Sequence, residues 1–327
     1  MADEQRTEGA PESVSAGPPG AQDSAPELTD PPKLAPVPED ADDTRGHHFG
    51  RLLRHPATLI LGGILVVGAL VAGAAAGTIA IGGGMAVVAL LLVLVVVYLL
   101  ASSKAADDFY RAYAEGRRLA RIDGKSNLPP VTPLLQKGDK RYAEQRFNGV
   151  LPGGLDGSLC LYTYEETSRD SDGNRQTTYI HHTIVVTQIP DIAPFVQELF
   201  CQRRFGFRFL DSAEDIFRSR QRVEHESEAV DKEFEIFTGK NDELNRARQV
   251  LSPTFLVWLE SHSPEAFAFE LVAGALVTNV KGHKKSATEL DQLCEASAAV
   301  ARRMHEEASE VSGGVASTLR DPNAPPH

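Results

Sequence analysis

The chain has 327 residues, a formal net charge of −12 at pH 7 and three cysteines. The acidic balance argues against broad nucleic-acid binding, because binding to a phosphate backbone needs clustered positive charge. The odd number and wide spacing of the cysteines argue against a disulfide framework or a CxxC metal site, and predict reduced, partly buried thiols in a cytoplasmic location.

Residues 1–45 contain eleven acidic and three basic residues and are rich in Pro, Ala, Gly and Ser. Such a segment cannot bury enough apolar surface to offset the entropy of ordering, so we predict a disordered acidic tail. Residues 46–56 contain no acid and form a basic juxtamembrane segment with Arg51 and Arg54. The apolar block begins too late and is too long for a cleaved signal peptide.

Residues 57–102 contain no Asp, Glu, Lys, Arg or His. Crossing a bilayer takes about 20 apolar residues, and a helix of this whole block would be roughly 69 Å long at about 1.5 Å per residue. Glycines between residues 73 and 84 allow a tight turn. The sequence therefore predicts a transmembrane helical hairpin, with helices at about 57–77 and 82–102.

Basic residues flank both ends of this hairpin, whereas the turn between its helices carries no charge. By the positive-inside rule, both termini are expected in the cytoplasm, with the protein a multi-pass component of the inner cell membrane. Ala69, Gly73 and Gly77 repeat at a spacing of four, and small residues let membrane helices approach closely. We predict that this face packs within one chain, with homo-oligomerisation through the same face as the alternative.

A juxtamembrane helix is predicted for residues 103–126, and the proline-rich segment 127–133 ends it. Beyond it, two alternating stretches around the turn sequence SRDSDGN predict a β-hairpin. Ser252-Pro253 has the residue order of a helix start, and residues 286–310 show helical periodicity. The fold class expected is α+β, with a largely antiparallel sheet and packed helices in a cytoplasmic domain at 127–310.

This domain is expected either as one unit or as two subdomains, at 137–220 and 221–310, followed by a disordered tail at 311–327. Several of its segments carry a resemblance: DFYRAYAEGRR, TPLLQKGDKRY, LPGGLDGSLCLYT, DSDGNRQTT, CQRRFG and, more loosely, the stretch from 251 to 282. They are similar to an uncharacterised bacterial membrane-protein family with two transmembrane helices followed by a cytoplasmic domain of unknown function. The resemblance implies this topology and no particular activity.

The sequence offers no metal site. His181 and His182 lie on a predicted strand, where neighbours point to opposite faces, so they cannot share one ion. His182 follows the apolar face and is expected in the core. Asp170 begins a segment with the acidic spacing of a calcium loop, but the Gly and Glu that the loop requires are missing.

Two charged patterns remain as candidates for binding. Glu224 begins a row of alternating carboxylates, which is typical of a solvated strand face and could also hold a cation. Arg203, Arg204 and Arg208 alternate with aromatic residues, and Arg117 and Arg118 follow the membrane segment. These five arginines are candidate contacts to anionic lipid or to a protein partner.

No catalytic motif, catalytic residue or cofactor site is identified. We therefore expect a non-catalytic binding or scaffold module on the inner face of the membrane, with the lipid bilayer and a protein or anionic lipid as partners. One alternative is a metal-dependent or hydrolytic enzyme, for which His182, Glu224 and Asp170 would have to converge. The other is an accessory subunit of a membrane complex or transporter.

Overall fold

The computed structural model describes residues 37–54, 56–75, 79–169, 173–203, 220–224, 228–239 and 244–317. All of them belong to one compact unit, residues 35–327. The predicted turn at Asp170 lies only partly within these ranges, and most of the predicted acidic tail lies outside them.

The chain begins with three helices: α1 (Ala41–Leu53), α2 (Pro56–Ala75) and α3 (Ile79–Arg117). Both α1 and α2 pack along α3. Within the described part of the chain, one helix, Gly84–Arg117, is long and apolar enough to cross a membrane. The hairpin helices were expected at 57–77 and 82–102; the second instead starts earlier and continues without a break to Arg117.

The helix α1 begins inside the segment expected to be disordered, because residues 39–41 are held by the rest of the chain. Ala41 N–H donates to the carbonyl of Lys285 at 3.0 Å, and Ala287 N–H donates to the carbonyl of Glu39 at 2.8 Å. These bonds satisfy a backbone donor at the start of the last helix, which would otherwise be unpaired.

The strands described are β1 (Ala120–Ser126), β2 (Lys140–Leu151), β3 (Leu155–Arg169), β4 (Arg175–Gln188), β5 (Glu198–Arg203), β6 (Arg220–Arg222), β7 (Phe234–Gly239), β8 (Ala268–Val272) and β9 (Ala275–Lys281). The helices after α3 are α4 (Pro133–Gln136), α5 (Glu228–Glu233), α6 (Leu244–Val250), α7 (Pro253–His262) and α8 (Ala287–Ser317). A short 3₁₀ turn covers Pro190–Ile192.

The described strands form one sheet in the order β1-β2-β3-β4-β9-β8-β5-β7-β6, and every neighbouring pair is antiparallel. The expected α+β class with a largely antiparallel sheet is confirmed. Pairing of β4 with β9 and of β5 with β8 makes the sheet continuous across the two expected subdomains, 137–220 and 221–310.

Each face of the sheet buries its own apolar cluster. The larger cluster joins Phe147, Leu161 and Val185 of the sheet to α3 and α8, with α6 and α7 beside them. The smaller cluster lies on the opposite face, where α4 covers Tyr162 and Ile184. Alternate residues of one strand thus enter different cores, as the pleat requires.

The expected juxtamembrane helix at 103–126 ends early, and its last part is strand β1. Arg118 adopts a positive φ of 57° and Leu119 N–H bonds back to the carbonyl of Ala114 at 2.8 Å, which ends α3. The chain then returns along the helix, where Arg121 donates to the backbone carbonyl of Asp107 at 3.1 Å. This reversal brings β1 and β2 beside α3.

Candidate functional site

The first residue of the candidate site is a carboxylate on an irregular part of strand β2. The register of the β2–β3 pair shifts between Ala143 and Gln145, so Glu144 is an extra residue in a β-bulge. Its Oε1 accepts a hydrogen bond from the hydroxyl of Thr163 at 2.9 Å. Its side chain keeps 40% of its surface exposed, so solvent reaches it.

The second residue is His181, which lies directly opposite Thr163 on strand β4. Its Nδ1 is 2.8 Å from the Thr163 hydroxyl oxygen. The next residue, His182, is fully buried on the other face and stacks on the ring of Tyr164 at 5.9 Å. The expectation that the two histidines point apart and that His182 is a core residue agrees with these positions.

The third residue, His283, is brought to the same place by the chain that leaves strand β9. Gly282 has a φ of +81°, a left-handed conformation that glycine adopts without strain. Its N–H donates to the carbonyl of His181 at 2.7 Å. The turn places the rings of His181 and His283 4.6 Å apart between centroids.

His283 is the most enclosed of the three side chains, with 15% of its surface exposed. Its Nε2 is 3.2 Å from the backbone carbonyl of Tyr162, which can only accept a hydrogen bond. Burial lowers the pKa of His283, an effect that the charges of His181 and Lys285 reinforce and that Glu144 and the Tyr162 carbonyl oppose.

The three side chains surround a common point. Glu144 Oε1 lies 4.0 Å from His181 Nδ1, and Glu144 Oε2 lies 3.9 Å from His283 Nδ1. One possible ligand atom from each residue lies within 4.8 Å of the other two. Two imidazoles and a carboxylate can share protons through Thr163 or coordinate a cation together. We call Glu144, His181 and His283 the Glu-His-His cluster.

The residues expected to converge in the enzyme alternative do not meet. Glu224 follows strand β6, and four strands separate β6 from the strand that carries His182. At about 4.8 Å per strand this is a separation of roughly 24 Å. Asp170 lies outside the described residues. In the sequence, the pair His181-His182 was the one sign of the Glu-His-His cluster. No local pattern marked Glu144 or His283.

Two of the five arginines expected to contact lipid or a partner are engaged within the chain. Arg117 forms a two-pronged ion pair with Asp291 on α8. Arg203 lies 3.3 Å from a carboxylate oxygen of Glu233 and also donates to the backbone carbonyl of Glu260. Arg118 is exposed, whereas Arg204 and Arg208 lie outside the described residues. Lipid or partner contact by these arginines stays a prediction.

The small residues expected at a helix interface lie on or beside α2. Ala69 is half-buried in that helix and Gly73 belongs to the same helix. Gly77 lies outside the described residues. Their role in packing or in oligomerisation stays a prediction.

A second surface feature is an open cleft of about 560 Å³ where strand β1 ends and strand β2 begins, with residues of the segment 127–130 on one side. Three basic residues line it, Lys125, Lys140 and Arg141, against one acid, Asp139. The ammonium of Lys125 lies 3.7 Å from the ring centroid of Tyr142. We call this the basic cleft. Its charge fits an anionic group.

Comparison with known proteins finds no match: no protein-family model, no curated protein and no solved structure is similar to this chain.

Proposed function

We propose that this protein is a non-catalytic binding or scaffold module, anchored in the inner cell membrane and facing the cytoplasm. The observation that carries the proposal is the continuity of α3. This one helix contains the apolar stretch and ends inside the core of the sheet domain. If the apolar stretch lies in lipid, the sheet domain is therefore held at the membrane surface.

The two parts of α3 differ in what they present. In the first part, large apolar side chains remain 51% to 61% exposed: Val87, Val88, Leu91, Leu92, Val95, Val96, Leu99 and Leu100. Such a surface is stable in lipid and costly in water. In the second part, Phe109 and Tyr113 are buried against Phe147 of the sheet. The change occurs near Ala101 and Ala105, which are themselves buried.

We propose that α2 is a second span and that both chain termini lie in the cytoplasm. The helix α2 is 20 residues long and contains no acidic or basic residue, which is the length that a span requires. Arg51 and Arg54 precede it, and Lys104 and Arg111 follow the apolar part of α3. Positive charge at both ends of a hairpin favours an arrangement with both ends inside.

The basic cleft supports an anionic partner, and its position favours lipid headgroups. Arg121 on β1 contacts Asp107 on α3, and Lys125 lies four residues further along β1, about 13 Å away at about 3.3 Å per residue. Leu100 precedes Asp107 by seven residues, about 10 Å along the helix. Because β1 returns along α3, Lys125 comes close to the level at which the apolar stretch ends.

The topology can be tested by cysteine labelling, because the native thiols Cys160, Cys201 and Cys294 are buried. In intact cells, a membrane-impermeant maleimide should label Thr78→Cys, whose position in the sequence is between the two proposed spans. It should label Lys232→Cys, on the exposed surface of the domain, only after lysis. Labelling of Lys232→Cys from outside, or recovery of the protein in the soluble fraction after an alkaline wash, would overturn the proposal.

The partner can be tested in nanodiscs with and without anionic lipid. Changing Lys125, Lys140 and Arg141 together to Gln should reduce the anionic phospholipid that copurifies with the full chain. A matched variant removes three exposed bases elsewhere, Arg222, Lys232 and Arg302, and should leave that lipid unchanged. Equal loss in both variants would show that total charge, rather than the cleft, attracts the lipid.

A further inference from the structure

We propose that the Glu-His-His cluster binds one divalent first-row transition-metal ion of the zinc class. The cluster is formed by Glu144, His181 and His283, each of which offers a ligand atom within 4.8 Å of the other two. The proposal concerns a site on the sheet domain and does not depend on the membrane topology.

The types of ligand select the class of metal. Imidazole nitrogen suits zinc, copper, nickel and iron, whereas calcium and magnesium are bound mainly by oxygen ligands. Two histidines and one carboxylate form a three-ligand set that leaves a coordination position for water. Glu144 and His181 keep 40% and 44% of their side-chain surfaces exposed, so an ion can enter from solvent.

The surroundings of His283 prepare it as a ligand. Its Nε2 lies 3.2 Å from the Tyr162 carbonyl oxygen, and a hydrogen bond to this acceptor places the ring proton on Nε2. The other nitrogen, Nδ1, then has a free lone pair and faces Glu144 Oε2 at 3.9 Å. A metal-binding histidine commonly donates its second ring N–H to a backbone carbonyl in this way.

Glu144 is oriented by Thr163, because the hydroxyl of Thr163 donates to its Oε1 at 2.9 Å. With that proton used, His181 Nδ1 is the donor in its 2.8 Å contact with the Thr163 oxygen, so His181 has to move this proton to Nε2 or release it when Nδ1 binds the ion. Thr163 is fully buried, so this anchor is fixed. In a tetrahedral zinc site with bonds of about 2.0–2.1 Å, neighbouring ligand atoms are roughly 3.3 Å apart. The distances of 3.9 Å and 4.0 Å from the two Glu144 oxygens to the imidazoles are therefore longer by about 0.6–0.7 Å. To bind an ion, Glu144 and His181 would have to rotate away from their present contacts with Thr163, and both side chains are exposed enough to do so.

Two departures from regular strand geometry bring the cluster together. Without the bulge in β2, Glu144 would take a paired position in the ladder, and its side-chain direction would follow strict alternation. Without the left-handed Gly282, the chain would not turn His283 toward His181 as strand β9 ends. Bulges of this kind are frequent beside functional sites, where they re-aim a side chain.

The experiment uses the full chain, purified in detergent and stripped with a chelator, and titrates it with Co²⁺. We expect one equivalent to bind with the visible absorption of a low-symmetry nitrogen and oxygen site, and Zn²⁺ to displace it. The affinity for Co²⁺ should fall by at least about 10-fold in each of the variants Glu144→Gln, His181→Gln and His283→Gln. Loss of a residue that only supports a metal ligand already costs about that much affinity. Millimolar Mg²⁺ or Ca²⁺ should not compete.

The matched controls are His262→Gln and His305→Gln, which remove exposed histidines outside the cluster and should leave Co²⁺ binding unchanged. A second measurement guards against misfolded variants. Zn²⁺ should raise the denaturation midpoint of the wild-type protein and of both controls, because a ligand of the folded state stabilises it. At the same Zn²⁺ concentration, it should raise the midpoint of the three cluster variants by clearly less.

Two results would overturn the proposal. The first is that the triple cluster variant binds as much Co²⁺, and as tightly, as the wild-type protein. The second is that Zn²⁺ shifts the denaturation midpoint of the wild-type protein and of the triple variant equally. In either case the cluster is an ordinary network of polar side chains.

Discussion

At the scale of single residues, Glu270 is the most unusual group in the sheet. Its residue is 2% exposed, and its Oε2 accepts a hydrogen bond from the N–H of Leu134 at 2.9 Å. Burial raises its pKa to about 7, against the opposing effects of hydrogen bonds from the Leu134 amide and the Thr132 hydroxyl and of the charge of Lys137. A carboxylate in such a place is costly when ionised.

Stability should therefore depend on pH through Glu270. The raised pKa means that the folded state binds the proton more tightly than the unfolded state between about 4.5 and about 7. The stabilisation by the protonated form is complete below this window and is lost as the pH rises through it. The free energy of unfolding of Glu270→Gln, measured relative to that of wild type, should therefore rise by on the order of 3 kcal/mol as the pH goes from 4.5 to 8.

The measurement is denaturant unfolding of the full chain in detergent, followed by the fluorescence of the one tryptophan, Trp258. The control is Glu265→Gln, at an exposed position on the same domain, which should show no such dependence. A constant difference between Glu270→Gln and wild type across this range of pH would contradict the expectation.

At the scale of elements, the β8–β9 hairpin depends on its two turn residues. Ala273 and Gly274 have φ values of 48° and 84°, the pattern of a type I′ turn, which suits the twist of paired strands. A Cβ at Gly274 would lie 2.9 Å from the carbonyl oxygen of Ile189. The second central position of the turn, Gly274, thus requires glycine. The first, Ala273, holds an alanine in a conformation that alanine rarely adopts.

Opposite effects are expected at these two neighbouring positions. Gly274→Ala should lower the free energy of unfolding by about 2 kcal/mol, because it adds both strain and a clash. Ala273→Asn should raise it by about 0.5–1 kcal/mol, because asparagine tolerates the left-handed region. The same denaturation assay measures both variants. A loss of stability in Ala273→Asn would show that the turn conformation does not limit this hairpin.

Elements with local signals were predictable from the sequence. Ser252 accepts a hydrogen bond from the N–H of Phe255 at 3.4 Å, with Pro253 at the helix start, as a short motif indicates. The turn at Ala273-Gly274 is equally local. The Glu-His-His cluster was not predictable in this way. A bulge leaves no reliable mark in a single sequence, and His283 lies far along the chain from Glu144.

The strand β1 was missed for a related reason. Residues 120–126 were expected to continue a helix, but the contact that turns them back, between Arg121 and Asp107, depends on where α3 ends. That end is set by the packing of Tyr113 and Ala114 in the core, together with the backbone of Arg118. Tertiary contacts of this kind override local preference.

At the scale of the whole molecule, the end of α3 is joined to the last helix, α8, by charged hydrogen bonds. Arg117 Nε donates to Asp291 Oδ1 at 3.0 Å, and its Nη2 donates to Oδ2. The hydroxyl of Tyr113 donates to the same Oδ1 at 2.9 Å. The arginine and aspartate side chains are only 12% and 21% exposed, so water screens the pair weakly.

Breaking this joint should destabilise the domain more than breaking a surface pair. Arg117→Gln and Asp291→Asn should each lower the free energy of unfolding by about 2 kcal/mol. The double variant should lose less than the sum, because the partner left behind is no longer charged. Lys232→Gln and Glu228→Gln, which remove an exposed pair, should each cost less than about 0.5 kcal/mol. Additive losses at Arg117 and Asp291 would argue against direct coupling.

The unbroken α3 also has a mechanical consequence. A lipid-embedded helix changes its tilt when the bilayer thickens or thins, because its apolar length must stay matched to the hydrocarbon layer. Here the same rod is packed against the sheet through Phe109 and Tyr113. If α3 crosses the bilayer as proposed, changes in lipid thickness should therefore reorient the entire sheet domain rather than be absorbed by a flexible connection.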